Sequence, residues 1–284
     1  MKIDAHQHYW KLDRNDYGWI TPDLQVLYRD FLPQDLLPQL DKHGIGKTIL
    51  VQAAPTEAET EFLLGLCESS DRIAGVVGWL DLAHPDFRQR YKVFRENPYF
   101  IGVRVMIQEM EDANEILQPH MIRAFRFFAE QDFPVDILIY SRQFPSVLKL
   151  LEQVPNLRGV IDHIGKPDIR SHTFEPWNEQ IKEAANYPKL YCKLSGMVTE
   201  ADHAEWKIED FIPYVEHVID VFGTKRILFG SDWPVCLLAA SYDEVIDVLS
   251  KTISIKEPEQ AYRDLFGYNA IRFYKLDPLL PLKM

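Results

Sequence analysis

Eight times along the chain, a short run dense in valine, isoleucine and leucine gives way to a loop and then to a stretch with helical apolar spacing. The β-rich runs cover 2–6, 47–53, 73–81, 101–107, 135–140, 159–164, 190–195 and 227–232. They show little strict alternation, as expected of parallel strands covered on both faces. Helical stretches are predicted over 34–43, 56–69, 86–96, 120–131, 146–154, 175–186, 209–222 and 242–252, the 86–96 pattern being the weakest. Gly44 stops the first of them, and Thr56-x-x-Glu59 reads as a capping box for the second. Eight strand–helix units are the number a closed (β/α)8 barrel requires. An open doubly wound sheet uses the same elements, but it calls for Gly-x-Gly-x-x-Gly after the first strand, where this chain has His6-Gln7-His8-Tyr9-Trp10. The predicted fold is therefore α/β: one TIM-barrel domain over 1–284, a length one large barrel accommodates. Residues 9–32, aromatic and punctuated by Gly18 and Pro22, form an elaborated first βα loop over the barrel top.

Charge and cysteine usage narrow the function classes. The formal net charge of −12 repels phosphate backbones, so nucleic acid is excluded as a partner. No run reaches the length of a membrane span, and the opening residues carry Lys2 and Asp4 where a secretory signal would be apolar. The three cysteines, Cys67, Cys192 and Cys236, are odd in number and scattered, which offers neither a disulfide framework nor a Cys-x-x-Cys metal site. A cytoplasmic protein with a small-molecule substrate is expected. Oligomeric state is left open, a homodimer included.

Several strand ends carry chemistry. If the first strand runs straight, Asp4, His6 and His8 share one face. Two imidazoles at a carboxyl end can converge on a divalent metal such as zinc; they can equally be hydrogen-bonded polar residues finishing a strand. The sixth run ends in Asp162-His163 and the eighth in Ser231-Asp232, while Arg104, Lys193 and Ser195 stand at or near the ends of two others. A barrel gathers these ends around one mouth, and so many ionisable strand ends are hard to account for as separate caps.

The same residues carry a family resemblance. The chain resembles the amidohydrolase superfamily, in its branch of sugar-lactone hydrolases that act on fuconolactone or rhamnonolactone. The carrying text is Ile3-Asp4-Ala5-His6-Gln7-His8, Tyr28-Arg-Asp-Phe-Leu-Pro33, Leu50-Val-Gln-Ala53, Ala74-Gly-Val-Val-Gly-Trp-Leu-Asp81 and Gly102-Val-Arg104. It continues in Asp162-His163-Ile-Gly-Lys-Pro167, Lys193-Leu-Ser-Gly196, Gly230-Ser-Asp-Trp-Pro234 and Asn269-Ala-x-x-Phe-Tyr274. The resemblance implies a hydrolase that opens an aldonolactone to its acid, with the reaction centre at His6, His8, His163 and Asp232. Two departures stand out: Arg104 occupies the place of a bridging lysine or glutamate, and the fifth strand ends in Tyr140 with no histidine. A cation beside the site and a missing imidazole oppose a binuclear centre. What remains is one zinc held by His6, His8, His163 and Asp232, or a metal-independent enzyme, which this branch also contains.

Lactone hydrolysis needs an activated water on one side of the carbonyl and a stabiliser of negative charge on the other. Asp232 is the candidate base, opposed by a metal or by the histidines with Arg104 or Lys193. Gln52, Ser195, Lys193, Trp10, Trp79 and Trp233 are candidate substrate contacts. Four of them also have a structural reading: Trp79 filling the barrel, Trp233 packing under a loop, Lys193 pairing with Asp136, and Ser195 capping a helix. His43, His84, His120, His172, His203 and His217 are expected at the surface. The rival enzyme reading is a metal-dependent decarboxylase of the same superfamily; the rival from another class is a non-catalytic barrel that binds a sugar acid.

Overall fold

In the computed structural model, which describes residues 1–253 and 259–276, eight parallel strands stand side by side in chain order. They are β1 (Lys2–Gln7), β2 (Ile45–Val51), β3 (Ile73–Gly78), β4 (Phe100–Met106), β5 (Val135–Leu138), β6 (Gly159–Ile161), β7 (Leu190–Leu194) and β8 (Ile227–Phe229). The ring closes where Asp232 N donates to His6 O at 2.8 Å and His8 N donates to Trp233 O at 2.7 Å. Around it lie α1 (Pro33–His43), α2 (Glu57–Ser69), α3 (Phe87–Arg95), α4 (Pro119–Glu130), α5 (Phe144–Gln153), α6 (Trp177–Ala185), α7 (Ile208–Phe222) and α8 (Tyr242–Ile253). The expected (β/α)8 barrel is the observed one.

Several strands are shorter than their apolar text, for one physical reason: the last residues of the run leave the ladder to turn into the mouth. After β6, His163, Ile164 and Lys166 take left-handed conformations (φ 54°, 49° and 49°), and after β8 so does Asp232 (φ 58°). Such values cost energy in L-residues and persist only where the surroundings enforce them. The capping box on α2 is half formed. Thr56 Oγ1 accepts from Glu59 N at 3.1 Å, but the Glu59 carboxylate turns instead to the Ala53 and Ala54 amides just beyond β2.

β1 does not run straight. Asp4 lies opposite Thr48 and Gln7 opposite Leu50, so three steps along β1 match two along β2. One extra residue reverses the face on which every later side chain falls. Ile3 and Ala5 pack inside the barrel with Ile49, Val51 and Leu228. Asp4 points the other way, accepting a hydrogen bond from Tyr242 of α8 at 3.0 Å. The expected shared face of Asp4, His6 and His8 is thus corrected: the bulge turns the histidines inward and leaves Asp4 behind them.

The barrel is filled in layers. At its base the apolar residues are capped by Phe273 and Tyr274 of α10 (Asn269–Tyr274), which follows α9 (Glu259–Arg263) and a π-turn over Asp264–Tyr268. Above them is a charged layer built on Asp136, Lys193 and Asp162, and above that the mouth. The first βα loop is pinned at both ends, with Trp10 and Phe31 exchanging backbone hydrogen bonds of 2.9 and 3.0 Å. Midway along it, Trp19 Nε1 donates to Ala53 O at 2.9 Å, which lays the loop across the mouth as the sequence suggests. No helix among the described residues is long and apolar enough to cross a membrane.

Candidate active site

Three imidazoles converge on one carboxylate oxygen. Asp232 Oδ1 lies 3.2 Å from His8 Nε2, 3.7 Å from His6 Nε2 and 3.9 Å from His163 Nε2. The other nitrogen of each ring has its own partner: His8 Nδ1 donates to Val51 O at 2.7 Å, His163 Nδ1 shares a hydrogen bond with Ser195 Oγ at 2.9 Å, and His6 Nδ1 lies 3.1 Å from Lys193 Nζ and 3.4 Å from Asp162 Oδ1. A carbonyl can only accept, so His8 carries its proton on Nδ1, and a neutral His8 turns a bare Nε2 toward Asp232. Two acceptors 3.2 Å apart repel unless a proton or a cation lies between them. Close backbone approach makes room for this. A Cβ on Gly230 would stand 2.5 Å from Cβ of His6, so the start of the β8 turn tolerates only hydrogen there.

Burial sets the protonation states. It pushes the His6 pKa well below the ordinary value, reinforced by the charges of Lys193 and Arg104, and it does the same to His163. Both rings are therefore neutral and able to offer a lone pair. Burial also pushes the Asp232 carboxyl up, but His163, His8 and Lys166 facing it outweigh that and hold it below the usual range, as an anion. Beneath the site, Lys193 pairs with Asp136 and lies 3.1 Å from Asp162, while Arg104 Nη1 is 3.6 Å from Asp162 Oδ2.

The mouth opens into a cavity of about 280 Å³ bordered by His8, Arg104, His163, Asp232, Trp19, Tyr140 and Lys166. The first four are expected from the sequence. Lys166 could have been found, since it stands within the Asp162–Pro167 run; Trp19 has no signal beyond its place in a long loop, and Tyr140 registers in the sequence only as the lack of a histidine. The other predicted contacts are scattered. Trp79 lines an adjoining cavity of about 300 Å³ that shares Arg104 with the first. Trp10 is enclosed by Tyr17, Trp19 and Phe31, and Trp233 packs on Tyr9 and Phe31. Lys193, Gln52 and Ser195 are buried beneath the mouth: Lys193 between Asp136 and Asp162, Ser195 on His163, and Gln52 giving its carbonyl to Arg104. His120, His172 and His203 lie exposed, whereas His43, His84 and His217 are half-buried.

Residues 3–276 match the amidohydrolase family model. The chain belongs to that family. Two relatives of this amidohydrolase are L-fucono-1,5-lactonases. The one from Burkholderia ambifaria is 37% identical and aligns over 98% of this chain and 96% of its own. That from Burkholderia multivorans is 36% identical over 97% and 96%. A crystal structure of an amidohydrolase from Burkholderia multivorans with bound zinc superposes with a TM-score of 0.92 at 35% identity, covering 97% of this chain and 99% of that one.

The donor set of this amidohydrolase fits one metal ion. Ligand atoms of His6, His8 and Asp232 all lie within 4.8 Å of one another. Ligands about 2.0–2.2 Å from a tetrahedral ion stand roughly 3.3–3.6 Å apart, close to the spacing around Asp232 Oδ1. The hydrogen bonds that His8 Nδ1 makes with Val51 O and His163 Nδ1 with Ser195 Oγ, on the far side of those two rings, are of the kind that orient metal-binding histidines. A second grouping, His6, Asp162 and His163, has Lys193 and Arg104 already against its carboxylate, and those fixed cations oppose an ion there.

Proposed function

We propose that this amidohydrolase opens a sugar-derived lactone, an aldonolactone of the L-fucono or L-rhamnono kind, to the aldonic acid. The observation that carries the reading is the convergence of three neutral-capable imidazoles on an ionised, buried Asp232 at the edge of a cavity large enough for one sugar ring. Relatives that share more than a third of its sequence over nearly the whole chain act on L-fucono-1,5-lactone by name.

His6, His8, His163 and Asp232 would hold a single divalent ion, zinc above all. When bound, it supplies a Lewis acid that polarises the carbonyl and offsets negative charge developing on its oxygen. The remaining chemistry belongs to the side chains. Asp232, anionic at neutral pH, takes a proton from the attacking water and returns it to the ring oxygen as the ester bond breaks. Arg104 stays charged and presents its donors at the cavity wall beside His6, 3.5 Å from Nε2. Lys166 adds a second cation on the same rim, and Trp19 and Tyr140 offer flat faces to a sugar ring. The reading extends to one cytoplasmic barrel domain with a small-molecule substrate and no nucleic-acid or membrane partner, which the net charge of −12 supports.

Asp232→Asn tests the reading. The variant should fold and lose lactone turnover by about a thousandfold or more; retention of a tenth of the activity overturns the role of Asp232. Release of carbon dioxide from an unsaturated acid, without lactone opening, would instead favour the decarboxylase.

A further inference from the structure

Asp4 is fully buried, borders neither cavity at the mouth, and takes no part in the proposed chemistry. Its carboxylate nevertheless ties the two strands that carry the reaction centre. Oδ1 accepts from His6 N at 3.2 Å and from Ser231 N at 2.9 Å, and Oδ2 accepts from Tyr242 at 3.0 Å. His6 is the first residue after Ala5 to face the mouth, and Ser231 immediately precedes Asp232 in its left-handed turn. One oxygen thus bonds the backbone on both sides of the seam where β1 meets β8.

We infer that Asp4 is the positioning residue that holds the β1 bulge open and so turns His6 and His8 into the barrel. A straight strand would alternate, sending His6 outward to the side where Asp4 now lies. The bulge is held by a side chain two residues back, bonded to the His6 amide, and the same oxygen pins the approach to Asp232. The Asp232 N to His6 O and His8 N to Trp233 O bonds then lock base and imidazoles into one unit. Asp4 therefore acts through His6, His8 and Asp232 and never meets substrate.

The inference rests on the lactonase reading only for its kinetic arm. Asp4→Ala and Asp4→Asn are compared with Val218→Ala, which opens a cavity at a buried residue of α7 that borders neither cavity at the mouth and serves as a match for lost thermal stability. Two measurements are made: kcat and KM on L-fucono-1,5-lactone, and the imidazole nitrogen resonances of His6 and His8. Asp4→Ala should lower kcat about a hundredfold, with KM changed by roughly threefold or less, and shift both sets of resonances. Asp4→Asn keeps an oxygen for both amides and presents an NH2 to the Tyr242 hydroxyl, and should return kcat to within about fivefold of wild type. Val218→Ala should move neither readout. If Asp4→Ala does not fold, Asp4→Ser is expected to show the same two changes. An alanine or serine variant with wild-type kcat and wild-type resonances overturns the inference, as does a kcat loss no larger than that of Val218→Ala. A wild-type protein inert toward lactones defeats the proposed function instead, and the resonances still decide the role of Asp4.

Discussion

A Cβ placed on Gly196 would stand 2.7 Å from Cγ of His163. The two residues come from neighbouring strand ends, and the imidazole occupies the space that any side chain at position 196 would need. Gly196 also has φ +58°, which L-residues adopt at a cost. Gly196→Ala should therefore push the ring off Ser195 and away from Asp232. We expect a loss of about a hundredfold in lactone turnover with the far-UV circular dichroism spectrum unchanged. Kinetics within a few-fold of wild type would show that the ring needs no such placement.

Lys193 is a candidate substrate contact in the sequence, and the structure buries it completely between two aspartates. Removing one partner of a buried ion pair leaves an uncompensated charge, a loss of about 3–5 kcal/mol. Lys193→Met should thus unfold at markedly lower urea, and adding Asp136→Asn should recover part of the loss. A stable Lys193→Met protein with only a raised KM would return Lys193 to the substrate.

Glu59 makes stability depend on pH near neutrality. Burial pushes its carboxyl up to about 7, against the hydrogen bonds from Ala53 and Ala54, while an unfolded chain titrates at the ordinary value of 4.5. The folded state therefore keeps a proton that the unfolded state has lost. Its stabilisation is full below 4.5 and disappears as pH rises through 7. Relative to Glu59→Gln, the wild-type protein should lose roughly 3 kcal/mol of stability across that interval. Parallel stability–pH curves from chemical denaturation would refute this.

Zinc should protect the fold as well as serve the reaction. An ion that binds only the native state raises the unfolding free energy by about 2.7 kcal/mol at a hundredfold excess over its dissociation constant, or roughly 5 °C in midpoint for a chain of this size. Wild-type protein should show that shift by calorimetry and His8→Ala should not. Equal shifts in both proteins would place the ion elsewhere.

Much of the barrel is legible because parallel strands buried on both faces must be apolar throughout, so 47–53 or 101–107 announces itself without its neighbours. Asp232 and His163 are legible for the converse reason: a charge that closes an apolar run is costly to bury, and the barrel mouth is where such a residue finds partners. The direction of His6 is not legible. It depends on which β2 residue each β1 residue pairs with, and no local pattern records an extra step between Asp4 and Gln7. The same holds for Trp19, brought to the mouth by one bond to Ala53 from the middle of a long loop. Gln52 and Ser195 differ from expectation in depth alone, both being buried beneath the mouth, because strand ends that turn inward bury residues which a straight strand would present.

The cap on the barrel base has a bearing on synthesis. Asp136 on β5 receives hydrogen bonds of 2.8 and 2.9 Å from Tyr274, which is translated 138 residues later. Asn269, also late, secures the start of β8 through the Thr224 and Ile227 carbonyls at 2.8 and 2.7 Å. A nascent chain that has released its first five strands from the ribosome still carries a buried-to-be acid without its hydroxyl and a cylinder with no floor. Native closure must wait for the last turn of α10 to emerge, and chains stalled before Tyr274 should remain open to protease while those extended past it become resistant.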